Sequence, residues 1–452
     1  MSASRRSLVA ASLLLLTAAL AFSAGAPIAD FVATDPGPRV GPTSVGGPLP
    51  GLGQPAMQAF LAGQETVQEI DSVQGTIAGT GLGLGPRFNM DSCGGCHNYP
   101  APGGSSPPSN PQVAVATKDG ATNVVPFFVT SDGPIRHAFI KSNPPGGSAV
   151  GSETHLYTIT GRVDAPGCVL EQPDFNALAA MDSLSFHIPL QLYGLGLIEA
   201  IDDATLTANL ASDSARKRAL GIAGHTGFAV GTVGRFTWKA QGADLLTIAA
   251  GAYAGEVGVT NKLIRDENDQ TPGCQFNSTP EDVGDPNAPT PIDRLPDYAK
   301  IAEFVRFLAP PAPIPATPSI TAGRILFARI GCALCHTPSL QTGVSTNPAL
   351  SGKTATPYSD LALHKMGPGL ADGVVAGNAA ADEFRTALLW GLGLRLFLLH
   401  DGRTSDLLEA INAHASEGNA SVPASEANAV IGAFNALSEP QKQDILNFLR
   451  GL

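Results

Sequence analysis

The chain has 452 residues, enough for two or three domains with a sizeable core. It holds 51 glycines and 37 prolines but only 15% charged residues, a balance that predicts long irregular connections. The periodic segments below exclude a wholly disordered chain. A net charge of −12 disfavours nucleic acid as a partner and favours basic or patch-bearing proteins.

Residues 1–26 read as a secretory signal peptide. Arg5 and Arg6 form the positive region, Leu8 to Phe22 is apolar, and Ala24-Gly25-Ala26 offers a small-x-small cleavage site. The apolar run is short for a membrane span, so a membrane is expected only if the signal is not cleaved. The mature chain is then expected in the periplasm or otherwise exported.

Residues 27–55 are rich in Gly, Pro and Ser and read as an extended arm, with a helix predicted over Gln54 to Val73. Next comes Cys93-Gly94-Gly95-Cys96-His97, which is Cys-x-x-Cys-His, the attachment pattern of a c-type haem. Its thiols bond to the porphyrin vinyl groups, and its histidine becomes the proximal iron ligand. Val124 to Val129 and Leu156 to Ile159 are short apolar runs that predict strands. Phe186 to Ile201 is apolar with glycines at 194 and 196, and Arg235 to Asn261 reads as a loop entering a helix that ends near Gly258. The acidic stretch 265–296 shows no helical period. Asp297 to Leu308 is an amphipathic helix with Ile301, Phe304, Val305 and Leu308 on one face, and it stops at Pro310-Pro311.

Residues 310–318 hold five prolines and read as a semi-rigid linker. A helix over Thr321 to Ile330 leads into a second haem motif, Cys332-Ala333-Leu334-Cys335-His336. The chain closes with a helix from Ser438, where Ser438 and Gln441 form a capping pair and Ile445, Phe448 and Leu449 make the apolar face. Structural zinc is a poor account of the two motifs, because it needs four ligands at one site and the two cysteine pairs lie far apart in sequence. Cys168 and Cys274 remain outside the motifs and most simply pair in an oxidising compartment.

Both halves share a plan: a leading helix, a haem motif, an excursion, and a closing helix with Phe-x-x-x-Leu (Phe304 and Leu308; Phe448 and Leu452). The plan resembles class I cytochromes c. The expected fold is mainly α, two cytochrome c-like haem lobes with long irregular loops and a few short strands. The N-terminal lobe would span 27–309 with a large insertion, and the C-terminal lobe 319–452. Two covalently bound haem c groups are expected.

For the sixth position of the second haem, Met366 is the candidate, with His364 the alternative; a thioether ligand raises the potential and suits electron transfer. The first lobe has no comparable methionine. His137, His155, His187 and His225 are its possible sixth ligands, or none is, which would leave an open site for substrate.

Phe384-Arg385-Thr386-Ala387-Leu388, then His400-Asp401-Gly402, then Leu408-Glu409-Ala410-Ile411 resemble the C-terminal signature of bacterial dihaem cytochrome c peroxidases and MauG proteins. Ala387 stands where that signature usually has proline. Phe88-Asn89, Gly194 to Ile201, Gly234 to Ala240, Glu256 to Asn261 and His364 to Gly369 resemble most closely the dihaem ("thiol") oxidoreductase subgroup. The likeness spans about residues 50–452. It implies a tryptophan relay between haems, best matched by Trp238, and a distal glutamate that handles protons, best matched by Glu256.

The activity so implied is peroxidase-type reduction at the N-terminal haem, with electrons entering from a small soluble donor protein at the C-terminal His/Met haem. The oxidant would be peroxide or another small molecule. Two other readings stay open: a pure dihaem electron-transfer cytochrome, and MauG-like oxidation of a partner protein. Calcium lies between the lobes in the peroxidase relatives, but no ligand set for it is legible here.

Overall fold

The four longest helices pair off in two similar crossings. In a computed structural model, which describes residues 31–40, 45–142 and 152–452, helix α1 (Gln54–Gln68) packs on α3 (Asp297–Phe307), and α4 (Pro318–Ile330) packs on α5 (Glu439–Gly451). Between the first pair in sequence lies α2 (Leu245–Ala252). The expected signal segment lies outside the described residues. The elements named below belong to one compact unit, Ala33–Leu452.

Each crossing depends on a glycine. A Cβ on Gly63 of α1 would overlap the Lys300 carbonyl oxygen, and a Cβ on Gly323 of α4 would overlap the Asp444 carbonyl oxygen. Next to each glycine two aromatic rings meet, Phe60 with Phe304 at 5.2 Å and Phe327 with Phe448 at 5.4 Å. Each pair anchors its own apolar core, and burying one such phenylalanine stabilises by roughly 1.5–3 kcal/mol. The helix ends follow local chemistry. The Thr317 hydroxyl caps α4 at Ile320 N (3.2 Å), Gly331 ends it at φ 113°, and Ser438 with Gln441 forms the capping box of α5.

The mainly α, cytochrome c-like architecture is overturned. Only 30% of the chain is helical and 12% is strand. The physical reason lies in composition and in the insertion. Outside the four long helices no described α-helix exceeds nine residues, as frequent glycine and proline dictate. The excursion after the first motif is mostly irregular, with short helices and short strands between its loops. Its centre is an antiparallel sheet of β1 (His137–Ile140), β2 (Ser152–Thr154) and β3 (Leu184–His187), with β1 in the middle and His137 opposite His187. Further along, β4 (Leu363–Lys365) pairs with β5 (Glu383–Arg385).

Residues 124–129 form no strand. Pro126 interrupts them, and the N–H and carbonyl of Val124 bond to the Gln172 side chain instead of a neighbouring strand. Tyr157–Thr158 does pair, with Arg87–Phe88. Residues 265–296 contain no helix or strand element. Cys168 and Cys274 form a disulfide with Cα atoms 4.8 Å apart, joining the insertion to this acidic loop.

Candidate functional site

The second motif follows α4 directly. Cys332, Cys335 and His336 line a cavity of about 1400 Å³, open mouth included. His336 Nδ1–H donates to Tyr358 O (2.9 Å), which leaves Nε2 free. Burial lowers its conjugate acid to about 4, so the ring is a neutral ligand at pH 7. Met366 lines the same cavity. So does His364, but its Nδ1 faces Glu426 (2.8 Å) and its Nε2 faces Asp360 (3.0 Å), so both nitrogens are committed.

His414 was missed by the sequence reading. It too lines this cavity, and its Nδ1–H donates to Ala410 O (2.8 Å). Burial lowers it below the usual histidine value. The available signal was its place three residues beyond Leu408-Glu409-Ala410-Ile411.

The first motif forms a short helix, Cys93–Cys96, capped by Ser92 through Gly95 N (3.1 Å). His97 follows the same rule as His336: Nδ1–H donates to Gly104 O (3.3 Å), and burial lowers its pKa to about 4. It lines a second cavity of about 1490 Å³. Of the four candidate sixth ligands, His137 and His187 line this cavity, as cross-strand neighbours. His155 and His225 are not among its lining residues; His155 contacts Asn268 and His225 contacts Glu383.

Glu256 lies in the second cavity, on a π-helical turn, Tyr253–Val257, that continues α2. Such turns aim side chains that a regular helix would direct elsewhere. Glu256 Oε1 accepts from His137 Nδ1 (2.8 Å) and Oε2 from Asn89 Nδ2 (2.8 Å). Glu153 Oε1 reaches the same two donors at 3.1 and 3.3 Å. Burial alone would raise Glu256, but the charge of His137 holds it below the usual value. Burial, then Glu256, raises Glu153. Burial would lower His137, yet Glu256 beside it drives it well above the usual histidine value. The result is an imidazolium between two carboxyl groups, with Nε2 buried and unpartnered. The three side chains offer ligand atoms within 4.8 Å of one another, a set that could also hold a metal ion.

Trp238 lines both cavities, as do Arg385, Ala387 and Arg395. Its Nε1–H donates to Ile188 O (3.0 Å), and its ring meets His400 edge-on at 6.4 Å. His400 stacks on Phe384 at 4.3 Å, with Lys239 Nζ 4.0 Å from the centre of the Phe384 ring. Lys239 and His187 share Asp372, at 2.9 and 2.8 Å.

Haem fits these walls. Each cavity has a neutral motif histidine on its wall; Cys332 and Cys335 line the first cavity beside His336, while His97 lines the second and Cys93 and Cys96 are not among its lining residues. Nε and Nη2 of Arg395 are buried without a partner, and burial, with Arg450 nearby, pulls its pKa down to about 10. A guanidinium left this way calls for an anion from outside the chain, which the carboxylates of a bound haem would supply.

Two such cavities meeting at a shared tryptophan define a class of protein built to hold two haems for electron chemistry. One comparison with known proteins agrees. A family model described as "Di-haem oxidoreductase, putative peroxidase" matches residues 145–452, and the chain belongs to that family. No curated protein matches. Six solved chains match; one is a MauG-like protein associated with microbial copper homeostasis. That likeness has 20% identity and a TM-score of 0.26, and covers 37% of this chain and 55% of the other.

Proposed function

We propose that this dihaem oxidoreductase is an exported c-type peroxidase. Electrons from a small soluble donor protein enter at the C-terminal haem, attached at Cys332 and Cys335 and ligated by His336. They pass by way of Trp238 to the haem attached at Cys93 and Cys96 and ligated by His97, where peroxide is reduced. The observation that carries this reading is Trp238 on the wall of both cavities.

Bound haem supplies the redox-active iron, with its potential set by the axial ligands. The chain's own residues do the rest. His97 and His336 keep Nε2 free by donating Nδ1–H to carbonyls. Arg395 offers its unpaired guanidinium to carboxylates. Glu256 and His137 supply ionisable groups to the N-terminal cavity, as proton transfer to peroxide requires. The Cys168–Cys274 disulfide supports residence in an oxidising compartment.

Met366 closes the C-terminal haem in this reading, and the engaged nitrogens of His364 support that choice. A second reading gives the position to His414, because its Nδ1 is tied to a carbonyl just as in both motif histidines.

Spectroscopy of the reduced protein tests the whole. Two c-type haems are expected, and the half-reduced protein should hold a high-spin or ligand-exchangeable haem that reacts with hydrogen peroxide. Two low-spin haems inert to peroxide would leave a pure electron-transfer cytochrome. Met366→Ala should lower the potential of one haem and detach neither. An unchanged potential there, with a shift in His414→Ala, would move ligation to His414.

A further inference from the structure

We infer that His137 is the group that hands a proton to peroxide at the haem held by His97, and that Glu256 and Glu153 are positioning residues acting through it. The inference rests on the peroxidase reading of the N-terminal site. Its basis is which atoms remain available. Both oxygens of Glu256 are taken, Oε1 by His137 and Oε2 by Asn89, each at 2.8 Å. To move a proton itself, Glu256 would have to break one of these bonds, and the one to His137 is charge-assisted. His137 has its Nδ1 fixed by the two carboxyl groups, while its Nε2 is buried with no oxygen or nitrogen partner, stands beside the Cys96 sulfur, and belongs to a side chain on the wall shared with His97.

The other ionisable groups near His137 do not compete for Nε2. Cys96 stands beside the ring, but forming the thioether removes its S–H. His187, opposite on β3, has its Nε2 on Asp372, which Lys239 also holds. His97 would be taken up by the iron it ligates, and His155 is turned to Asn268. An imidazolium held at Nδ1 can release the Nε2 proton and regain it without reorienting.

The step balances as follows. The Nε2 proton passes to the far oxygen of H2O2 as the O–O bond breaks. That oxygen keeps the bonding pair and its own hydrogen and leaves as water. Two electrons from the reduced haem pair, drawn from the donor protein, go to the near oxygen. A second proton, relayed from solvent through the recharged imidazole, completes the second water.

The test uses the holoprotein and its His137→Gln and Glu256→Gln variants. His137→Gln should keep both haems and the wild-type spin state, slow peroxide reduction about 100-fold, and weaken cyanide binding about tenfold through loss of the Nε2–H bond to the bound anion. Glu256→Gln should lower the pKa of His137, so the alkaline limb of the pH–rate profile moves to lower pH. That shift supports the inference even if His137→Gln does not fold.

Unchanged peroxide rate and cyanide affinity in His137→Gln would overturn it. So would conversion of a low-spin N-terminal haem to high-spin in that variant, which would make His137 an axial ligand. Loss of activity to a chelator with recovery on a divalent cation would make the cluster a metal site instead. Wild-type protein inert to peroxide would remove the peroxidase reading, while the cyanide comparison would still decide whether Nε2 faces the sixth position.

Discussion

Trp238 reaches both cavities because the backbone around it turns sharply. Thr237 and Ala240 both have positive φ, 62° and 51°, a region that side chains other than glycine occupy at a cost of about 1–3 kcal/mol. The turn is held by Arg385, whose N–H donates to Trp238 O (2.8 Å) and whose Nε donates to Thr237 O (2.8 Å). In the proposed relay this strain would set the position of the Trp238 ring. Trp238→Phe keeps most of the apolar bulk but loses the indole and its bond to Ile188 O. Electron transfer between the haems should slow roughly tenfold, about 1.4 kcal/mol in the barrier, with both haems still attached and reducible. Stopped-flow reduction of the N-terminal haem checks this, and an unaltered rate would leave Trp238 a packing residue. At this scale the sequence was legible only in part. The motif residues followed from spacing, and Trp238 and Glu256 from a resemblance. Glu153 carried no signal, because its role depends on β2 lying beside β1. His414 carried little, because a histidine just past a short helix is usual without a haem and nothing local ties it to Cys332.

The helix crossings were the most legible elements. Phe304 and Leu308 against Phe448 and Leu452 announced two closing helices, and the ring pairs with Phe60 and Phe327 are their partners. The insertion was not legible, since its strands are two to four residues long and gain stability from cross-strand neighbours that no local period reveals. Counting amphipathic helices therefore overstated the helical share. The close approach at Gly323 gives a direct test. Gly323→Ala drives a methyl into the Asp444 carbonyl and should cost about 1–3 kcal/mol, more if the helices separate. Gly432 lies in the helix Asn428–Asn435, where an added methyl would meet no atom within 4 Å, so Gly432→Ala should be neutral or stabilise by up to about 1 kcal/mol. Denaturant midpoints for the two variants should move in different directions. Equal gains would mean that both glycines act only through helix propensity and that the close approach at Gly323 costs nothing.

Across the whole molecule, the arm before α1 is tied to the end of the chain. Asp35 accepts from Arg450 Nη2 (2.5 Å) and Nε (2.8 Å), and from the backbone N–H of Leu407 (2.8 Å) and Gly37 (3.0 Å). Arg450 in turn donates to the carbonyls of Leu392, Arg395 and Ser405, so one ion pair joins the arm, α5 and the wall that carries Arg395. Burial alone would raise Asp35, but Arg450 and the backbone donors more than offset it and hold the carboxyl below its ordinary value. A carboxyl lowered on folding stabilises the native state above its unfolded pKa, and that stabilisation is lost as pH falls through the folded pKa. Asp35→Asn should therefore lose about 1–3 kcal/mol at pH 7, where it leaves the buried Arg450 charge uncompensated. The gap from wild type should close below the ordinary aspartate range, because wild-type Asp35 is then protonated too. Urea unfolding at neutral and acid pH separates the outcomes: a gap that persists in acid would assign the loss to packing and not to the ion pair. Any accompanying change in the potential of the C-terminal haem would mean that the arm also steadies Arg395, which links the end of the chain to the cavity it closes.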